Sequence, residues 1–182
     1  MLEGEQKLIF GAKRGDSLSF GALYNHYMPR IYRFLYLKTS SKQEAEDLTH
    51  EVFLSAWQNI PRYKHKGFPF SSWLYQIARN KAIDSFRTKK PAIQFDDVAD
   101  ENFEIKNVSD DTLDSLLDLE KIKSAMHHLG EEQHSIIIMR FVEDMSPKEI
   151  ADILGKSEGS VRLMQHRAVQ NLKNILKNNG SR

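Results

Sequence analysis

The chain has 182 residues, a formal net charge of +1 at pH 7 and no cysteine. The absence of cysteine excludes disulfides and thiolate metal sites, and it is typical of proteins from a reducing compartment. No run of residues approaches the ~20 apolar side chains of a membrane span, and the first residues do not resemble a signal peptide. We therefore expect a cytoplasmic protein with no direct membrane insertion, no metal and no cofactor.

The small net charge conceals a strong segregation of charges along the chain. Residues 1–90 carry 15 basic and 8 acidic side chains, a balance of +7. Residues 91–120 carry one lysine and 10 acidic side chains, a balance of −9, and residues 121–182 return to +3. Two basic parts on either side of an acidic connector favour nucleic-acid binding.

The first basic part predicts three helices. Residues 19–37 place apolar side chains at helical steps, and Pro29 is expected to kink or break that helix. Ser41 can cap a second helix, with Glu44 at its third position. The third helix is predicted to open at one of two serines and to cover residues 71–87.

The second predicted helix carries an acidic stripe. Glu44, Asp47 and Glu51 stand at positions i, i+3 and i+7, which places them on one side of the helix. Leu48 belongs to a small apolar patch beside them and, like Val52, turns towards the core. Such a stripe suits a basic partner helix. The alternative is that the acids only stabilise the helix N-terminus, each by about 0.3–1 kcal/mol.

Basic and aromatic residues interleave just before the third helix, in residues 62–70. Single-stranded bases are held by aromatic faces in a basic groove, at ~1–3 kcal/mol per stacked base. On the helix itself Gln76, Asn80 and Arg87 share one stripe, where amides can read base edges and the arginine can bind phosphate. Trp73 fits core packing equally well. The candidate contacts are Tyr63, Lys66, Phe68, Phe70, Trp73, Gln76, Asn80 and Arg87.

The most specific pattern is a helix-turn-helix in the C-terminal part. Ser146 is a good N-cap, Pro147 fits the first helical position, and Glu149 can complete a capping box. Gly155 suits the left-handed residue that ends a helix, and Ser157 caps a long second helix. The second helix of such a unit usually enters the major groove of DNA.

That second helix has an apolar side and a polar side. The side chains predicted to be buried are Val161, Met164, Ala168, Leu172 and Ile175. The candidate DNA contacts on the other side are Ser157, Gly159, Ser160, Arg162, Leu163, His166 and Arg167. The two arginines can bind phosphate or guanine. The alternative is the solvated face of an ordinary helical bundle.

These patterns predict an all-α fold with two small helical domains, residues 1–90 and 113–182, joined by a flexible acidic linker at 91–112. Extended, that linker can reach roughly 70 Å, which lets the domains bind separate DNA sites.

Four stretches resemble an extracytoplasmic-function (ECF) sigma factor, the minimal form of the bacterial RNA polymerase specificity subunit. They are EAEDLTHEVF at 44–53, FSSWLYQIARN at 70–80, the segment 129–154 and the segment 159–168.

The resemblance implies that residues 1–90 are sigma region 2 and residues 113–182 are sigma region 4. The partners it implies are core RNA polymerase, through the β′ clamp helices and the β flap, promoter DNA and an anti-sigma factor, with no small-molecule substrate. The residues it assigns to polymerase binding are Glu44, Asp47, Leu48 and Glu51. The acidic linker is expected to follow the RNA exit path of the polymerase. A simple acidic connection remains the alternative.

For DNA, the resemblance implies a pocket for a flipped −10 base in the loop before the third helix, with Asn80 helping to read that element. In the −35 domain it places Arg162 near bases and Arg167 near phosphate. Leu163 and Met164 replace a more polar, basic pair of the family and leave fewer hydrogen-bond donors.

Two other classes of function compete with this interpretation. A helix-turn-helix repressor would bind duplex DNA without polymerase. An enzyme, such as a recombinase, would need a nucleophile or a cluster of carboxylates in residues 1–90, where Asp84 is the acid near the basic helix. We therefore expect no catalytic residues.

Overall fold

The structure is a computed structural model, and it describes residue 2 and residues 4–64, 67–89 and 121–179. Over these ranges the chain forms helices and no strand. The N-terminal unit consists of α1 (Glu5–Lys13), α2 (Ser17–Thr39), α3 (Lys42–Asn59), a 3₁₀ turn (Ile60–Arg62) and α4 (Phe70–Lys89). The C-terminal unit consists of α5 (residues 121–127), α6 (Glu131–Ile137), a π-helical turn (Ile138–Val142), α7 (Pro147–Leu154) and α8 (Glu158–Asn179). The predicted all-α class is confirmed, whereas the predicted linker lies outside the described residues.

The core of the N-terminal unit lies where α2, α3 and α4 meet. Their inward faces bury apolar side chains completely, among them Ile31, Val52 and Leu74. The rings of Phe34 and Tyr75 pack edge to face with centroids 5.3 Å apart, a contact worth about 0.5–1.5 kcal/mol beyond the buried area. This packing brings the outer faces of α3 and α4 next to each other.

Pro29 does not break α2, so one of the two outcomes expected for it is wrong. The helix continues through the proline from Ser17 to Thr39. An interior proline removes a backbone hydrogen bond and costs about 3 kcal/mol. Tyr27 and Ile31, on either side of it, are both buried in the same core, and their burial offsets this cost.

Several helix starts differ from the prediction. Helix α2 begins at Ser17 rather than Ser19, because the carboxylate of Asp16 is the N-cap and accepts the N–H groups of Leu18 and Ser19 at 3.1 and 3.3 Å. Helix α4 begins at Phe70, ahead of the two serines expected to open it. Helix α1 was not predicted, although it packs on α2.

The helix-turn-helix has the predicted local geometry. The Ser146 hydroxyl accepts the N–H of Glu149 at 3.2 Å, and the Glu149 carboxylate accepts the N–H of Ser146 at 2.9 Å. Gly155 ends α7 with a φ of 63°, a left-handed conformation that glycine adopts without steric cost. Ser157 caps α8 by accepting the N–H of Ser160 at 3.2 Å. A cap of this kind stabilises a helix by about 1 kcal/mol.

The α8 stripe expected to face inward does so. Val161 and Ala168 are fully buried, and the remaining three side chains of the stripe are partly buried against the core. The π-helical turn between α6 and α7 was not predicted. It ends at Val142 with Glu143 as the C-cap, and Asp144 follows with a φ of 52°. Glu143 therefore lies outside regular helix, between this turn and α7.

The two units pack against each other. Helix α4 contacts α7, and α2 contacts the π-helical turn. Hydrogen bonds cross between the units from Arg30 and Arg33 to Glu143 and from Gln76 to Asp152. The helix-turn-helix therefore lies over part of α4.

Candidate polymerase and nucleic-acid interfaces

The acidic stripe lies on the outer face of α3. Asp47 and Glu51 are exposed, and Glu44 is half-buried. Two side chains of α4 reach across to this stripe: the Ser85 hydroxyl donates to Glu44 at 2.6 Å, and the Lys81 ammonium donates to Glu51 at 2.8 Å. These contacts hold the carboxylates in place while Asp47 and Glu51 stay open to a partner.

Leu48 turns towards the core as expected, but its assignment to polymerase binding requires a correction, because only 5% of it is exposed. It supports α3 from inside and offers no surface to a partner. Leu54 takes the place expected for an apolar contact, with 52% of its surface exposed. It stands at i+7 from Asp47 and i+3 from Glu51, and this spacing was the signal that could have identified it.

A groove opens between the end of α3, the loop before α4 and α4 itself. Its volume is about 530 Å³, within the range of small-ligand pockets. Its lining residues are Ser55, Asn59, Arg62, Tyr63, Lys64, Phe68, Pro69, Trp73, Gln76, Ile77 and Asp152. Apolar rings, amides and cations thus meet in one concave site, the combination expected for an unstacked base.

The rings of Tyr63 and Trp73 line one side of this groove, and the buried ring of Phe70 packs behind them. The Tyr63 and Trp73 centroids lie 4.9 Å apart, and Phe70 packs 5.3 and 5.4 Å from them. Trp73 is half-buried and lines the groove, so part of its ring packs in the core and part is accessible, and its contact with DNA stays a prediction. The Lys13 ammonium donates to the Tyr63 carbonyl at 2.8 Å and ties this wall to α1.

Two of the predicted base contacts are core residues in this arrangement. Phe70 is only 1% exposed, so the prediction that it touches DNA is wrong; it supports the rings of Tyr63 and Trp73 from behind. Tyr63 is also buried, yet part of it lines the groove. Burial raises the pKa of the Tyr63 phenol. Phe68 lies at the groove as predicted, and Lys66 lies outside the described residues.

The predicted stripe along α4 is only partly accessible. Asn80 and Arg87 are exposed. Gln76 is half-buried, and its amide donates to the main-chain carbonyl of Asp152 in α7 at 3.0 Å. Ile77 also lines the groove. The C-terminal unit therefore occupies one of the amides expected to read bases.

The outward face of α8 carries the residues predicted for duplex DNA. Gly159, Arg162, His166 and Arg167 are exposed, as is 50% of Leu163. The other two predicted contacts lie at the start of the helix: Ser157 is exposed and Ser160 is half-buried.

Glu158 is the residue of this face that sequence reasoning missed. Its carboxylate accepts both the Nε and the Nη2 of Arg162, at 3.2 and 2.6 Å, one helical turn away. The i, i+4 spacing of opposite charges was the available signal.

In the ranges that the structure describes, no group of His, Asp and Glu side chains is arranged to hold a metal ion. Within the same ranges, none of the helices has both the length and the apolar character needed to cross a bilayer.

Comparison with known proteins identifies both units. The Sigma-70 region 2 family matches residues 23–91, and the Sigma-70 region 4 family matches residues 119–172. The ECF RNA polymerase sigma factor SigW of Bacillus subtilis is 32% identical over 181 residues, covering 94% of this chain and 96% of SigW. The chain belongs to the ECF sigma factors. The resemblance seen in the sequence is therefore confirmed.

A further curated relative and two solved structures are also similar to this ECF sigma factor. BldN of Streptomyces coelicolor is 33% identical over 172 residues and covers 93% of the chain, which spans 65% of the length of BldN. Among solved structures, CnrH in complex with the cytosolic domain of CnrY has a TM-score of 0.73 at 21% identity, covering 95% of this chain and 97% of CnrH. The sigma factor RpoE of Bartonella quintana, in complex with the anti-sigma factor NepR, has a TM-score of 0.70 at 22% identity over 87% and 96% of the two chains. At these identities the likeness establishes the fold.

Proposed function

We propose that the protein binds core RNA polymerase, directs it to promoters with −35 and −10 elements, and starts promoter melting. It acts in the cytoplasm as a non-catalytic subunit of the polymerase. The observation that carries this proposal is the pairing, in one chain, of an aromatic-walled groove on region 2 with an exposed recognition helix on region 4. A plain repressor needs the second surface and has no use for the first.

Polymerase docking is assigned to the outer face of α3. Asp47 and Glu51 provide exposed negative charge, and Leu54 provides an apolar contact beside them. This combination fits a basic, amphipathic helix pair such as the β′ clamp helices. Region 4 is proposed to contact the β flap.

Promoter melting is assigned to the groove. A base that leaves the duplex can enter the groove, stack on Trp73 and meet the side chain of Phe68, while Arg62 and Lys64 at the rim attract the backbone. Asn80 lies exposed on α4 beyond the groove and can read the edge of a neighbouring base. This surface needs a single strand, which duplex-binding proteins do not require.

The −35 element is assigned to α8. Its exposed side presents the residues of a reading helix to a major groove, and Leu163 can contact a thymine methyl group. An anti-sigma factor is proposed as a further partner, because the solved structure of the RpoE relative is a complex with one.

The docking assignment is tested by reversing charge on the acidic stripe. We expect Asp47→Lys with Glu51→Lys to abolish binding of the full chain to core polymerase, because two lysines would then face the basic partner and repel it. Binding of the same variant to −35 duplex DNA should be unchanged. Core affinity is measured by biolayer interferometry, and DNA affinity by fluorescence anisotropy.

Glu46 provides the matched control, since it is exposed on α3 but points about 100° away from Asp47. Glu46→Lys should bind core like the wild type, whereas the single variant Asp47→Lys should not. Wild-type core affinity for the double variant would contradict the docking assignment. Tight promoter binding without any core polymerase, in a gel shift, would favour the repressor instead.

A further inference from the structure

Glu143 is a fully buried acid at the contact between region 2 and region 4. Its side chain has no exposed surface, although it stands in the turn between the π-helical segment and α7. Its carboxylate accepts the Nε groups of Arg30 and Arg33 at 3.1 and 2.7 Å and the hydroxyl of Tyr75 at 2.8 Å. The Nη2 of Arg30 also donates to the main-chain carbonyl of Glu143 at 2.9 Å.

All of these donors belong to region 2. Arg30 and Arg33 stand three residues apart on α2, so their side chains leave the same face, and the buried Tyr75 of α4 forms the floor between them. We call these three side chains the carboxylate recess. Two cations and one hydroxyl match the acceptor sites of an ionised carboxylate. A carboxylate removed from water is costly unless it is paired in this way.

Further contacts join the two regions. The buried Lys38 of α2 donates to the main-chain carbonyl of Glu131 at 3.3 Å, and its ammonium lies 3.7 Å from the Glu131 carboxylate. Glu132 of α6 lies between Arg79 of region 2 and Lys156 of region 4, at 3.7 and 3.3 Å. These contacts are longer or more exposed than those of Glu143, which identifies Glu143 as the anchor.

The contact also covers the surface assigned to −10 DNA. Asp152 lines the groove, and its main-chain carbonyl takes the Gln76 amide. One N–H of that amide is therefore unavailable to a base edge while α7 lies there.

We propose that the carboxylate recess is an intramolecular docking site whose occupant is Glu143, and that this docking keeps region 4 over the −10 surface of region 2. The inference rests on the proposed function for the role of that surface. Binding to polymerase must then separate the two regions before promoter DNA can be read.

The first experiment measures the separation of the regions in the full chain, without DNA or polymerase. The chain has no cysteine, so fluorophores can be placed on Gln58→Cys in α3 and Asn174→Cys in α8, both exposed. We expect Glu143→Gln to lengthen the mean distance between the labels, because it keeps the shape of the side chain but removes its charge. Glu158→Gln is the matched control: it removes an exposed carboxylate paired with Arg162 inside region 4, and the distance should stay as in the wild type.

Arg33→Gln tests the recess from the other side and guards against misfolding of the Glu143 variant. Arg33 is half-buried rather than part of the core, and its replacement should open the chain while the helical circular dichroism is retained. The double variant should open no further than Glu143→Gln, since both changes remove one interaction. Unchanged distances in both single variants would overturn the docking site, as would equal opening by Glu158→Gln.

The second experiment measures access to the groove. In a Trp57→Phe background, quenching of Trp73 fluorescence by acrylamide should increase in Glu143→Gln. A labelled oligothymidylate should also bind about tenfold more tightly if the open form of the wild type is about 10% populated. Opening with unchanged quenching and affinity would overturn the covering of the −10 surface. Failure of the chain to support transcription would contradict the proposed function and leave the distance and quenching results intact.

Discussion

At the scale of single residues, the most informative pair lies on the recognition helix. Arg162 is held by the Glu158 carboxylate one turn earlier, whereas Arg167 is exposed further along the helix. The pairing with Glu158 orders the Arg162 fork before DNA arrives, and a planar fork with a fixed direction suits the edge of a guanine. For Arg167 we propose a contact with the DNA backbone, where only charge is required.

Substitution of the two arginines should therefore have different consequences. Arg162→Ala is expected to cost about 1–3 kcal/mol at one base pair of the −35 element, because a base contact is lost. Arg167→Ala is expected to weaken binding to all sequences alike and to reduce the salt slope by about one unit. Anisotropy titrations of both variants against a set of −35 duplexes over a salt series measure these effects. Uniform weakening by both variants would show that this face does not read sequence.

At the scale of elements, α4 serves two surfaces at once. Its inward side buries Leu74, Tyr75 and Ala78 completely, so the helix cannot rotate without losing the core. Its outward side then has a fixed direction, with Gln76 near the groove and Asn80 one turn further on. Rigid placement of this kind is what base reading needs, because the amide must meet a base edge in one orientation.

We expect Asn80→Ala to lose discrimination at one −10 position and to leave duplex −35 binding unchanged. The Asn80 side chain is exposed, and it lies in the interior of α4, where it caps no helix. Its removal should therefore hardly affect folding. Permanganate footprinting of promoter complexes on wild-type and substituted −10 elements measures the discrimination. Asn174→Ala makes the same chemical change at an exposed position of α8 and should behave as the wild type. Equal discrimination by Asn80→Ala and the wild type would contradict the reading role.

At the scale of the whole molecule, the contact between the regions includes a buried histidine. His134 of α6 lies near Lys38 of α2 and His127 of α5, and burial together with these neighbours lowers its pKa to about 3. Its Nε2 has no hydrogen-bond partner among the residues described. Burial, partly offset by Glu131, also lowers the pKa of Lys38 to about 8. Hydrogen bonds from Arg33, Tyr75 and Arg30 lower the pKa of Glu143 despite its burial.

These pKa shifts give the closed arrangement a defined response to pH. A lowered histidine pKa means that the open form binds the proton more readily, so closure is fully favoured above the ordinary value of 6.5 and weakens below it. The loss is about 1.4 kcal/mol per pH unit, or about tenfold in the ratio of closed to open chains. Because the pKa of Glu143 is lowered, its titration changes the ratio of closed to open chains only below its ordinary pKa of 4.5. The titration of Lys38 changes that ratio only above its lowered pKa of about 8, where loss of the proton favours closure.

We therefore expect the distance between the labels on α3 and α8 to increase as the pH falls from about 7.5 to about 5.5. His134→Asn should remove most of that increase, because the titrating group is gone. His166→Asn, at an exposed position of α8, should retain it. Coincident pH curves for His134→Asn and the wild type would show that another group controls the opening.

Features that depend on residues close together in the chain were predictable from the sequence alone. The capping box of Ser146 and Glu149, the left-handed Gly155 and the buried stripe of α8 all lie within one helix or one turn, so their residue types and spacing determine them. The acidic stripe of α3 and the outward arginines of α8 follow from the same helical period. Local hydrogen bonds and periodicity also suffice for the all-α class.

Contacts between distant parts of the chain were decided by the tertiary structure. Phe70, expected to contact DNA, is a core residue because the rings of Tyr27, Tyr63 and Trp73 pack around it. Glu143 carries no local sign of its role: its partners stand 113, 110 and 68 residues away in the chain. Glu143 is the first of two adjacent acids after an apolar stretch, and in the sequence such a pair looks solvated. Only the packing of α2 and α4 supplies the two arginines and the tyrosine that make its burial favourable, because charge pairing depends on distance in space rather than on spacing along the chain.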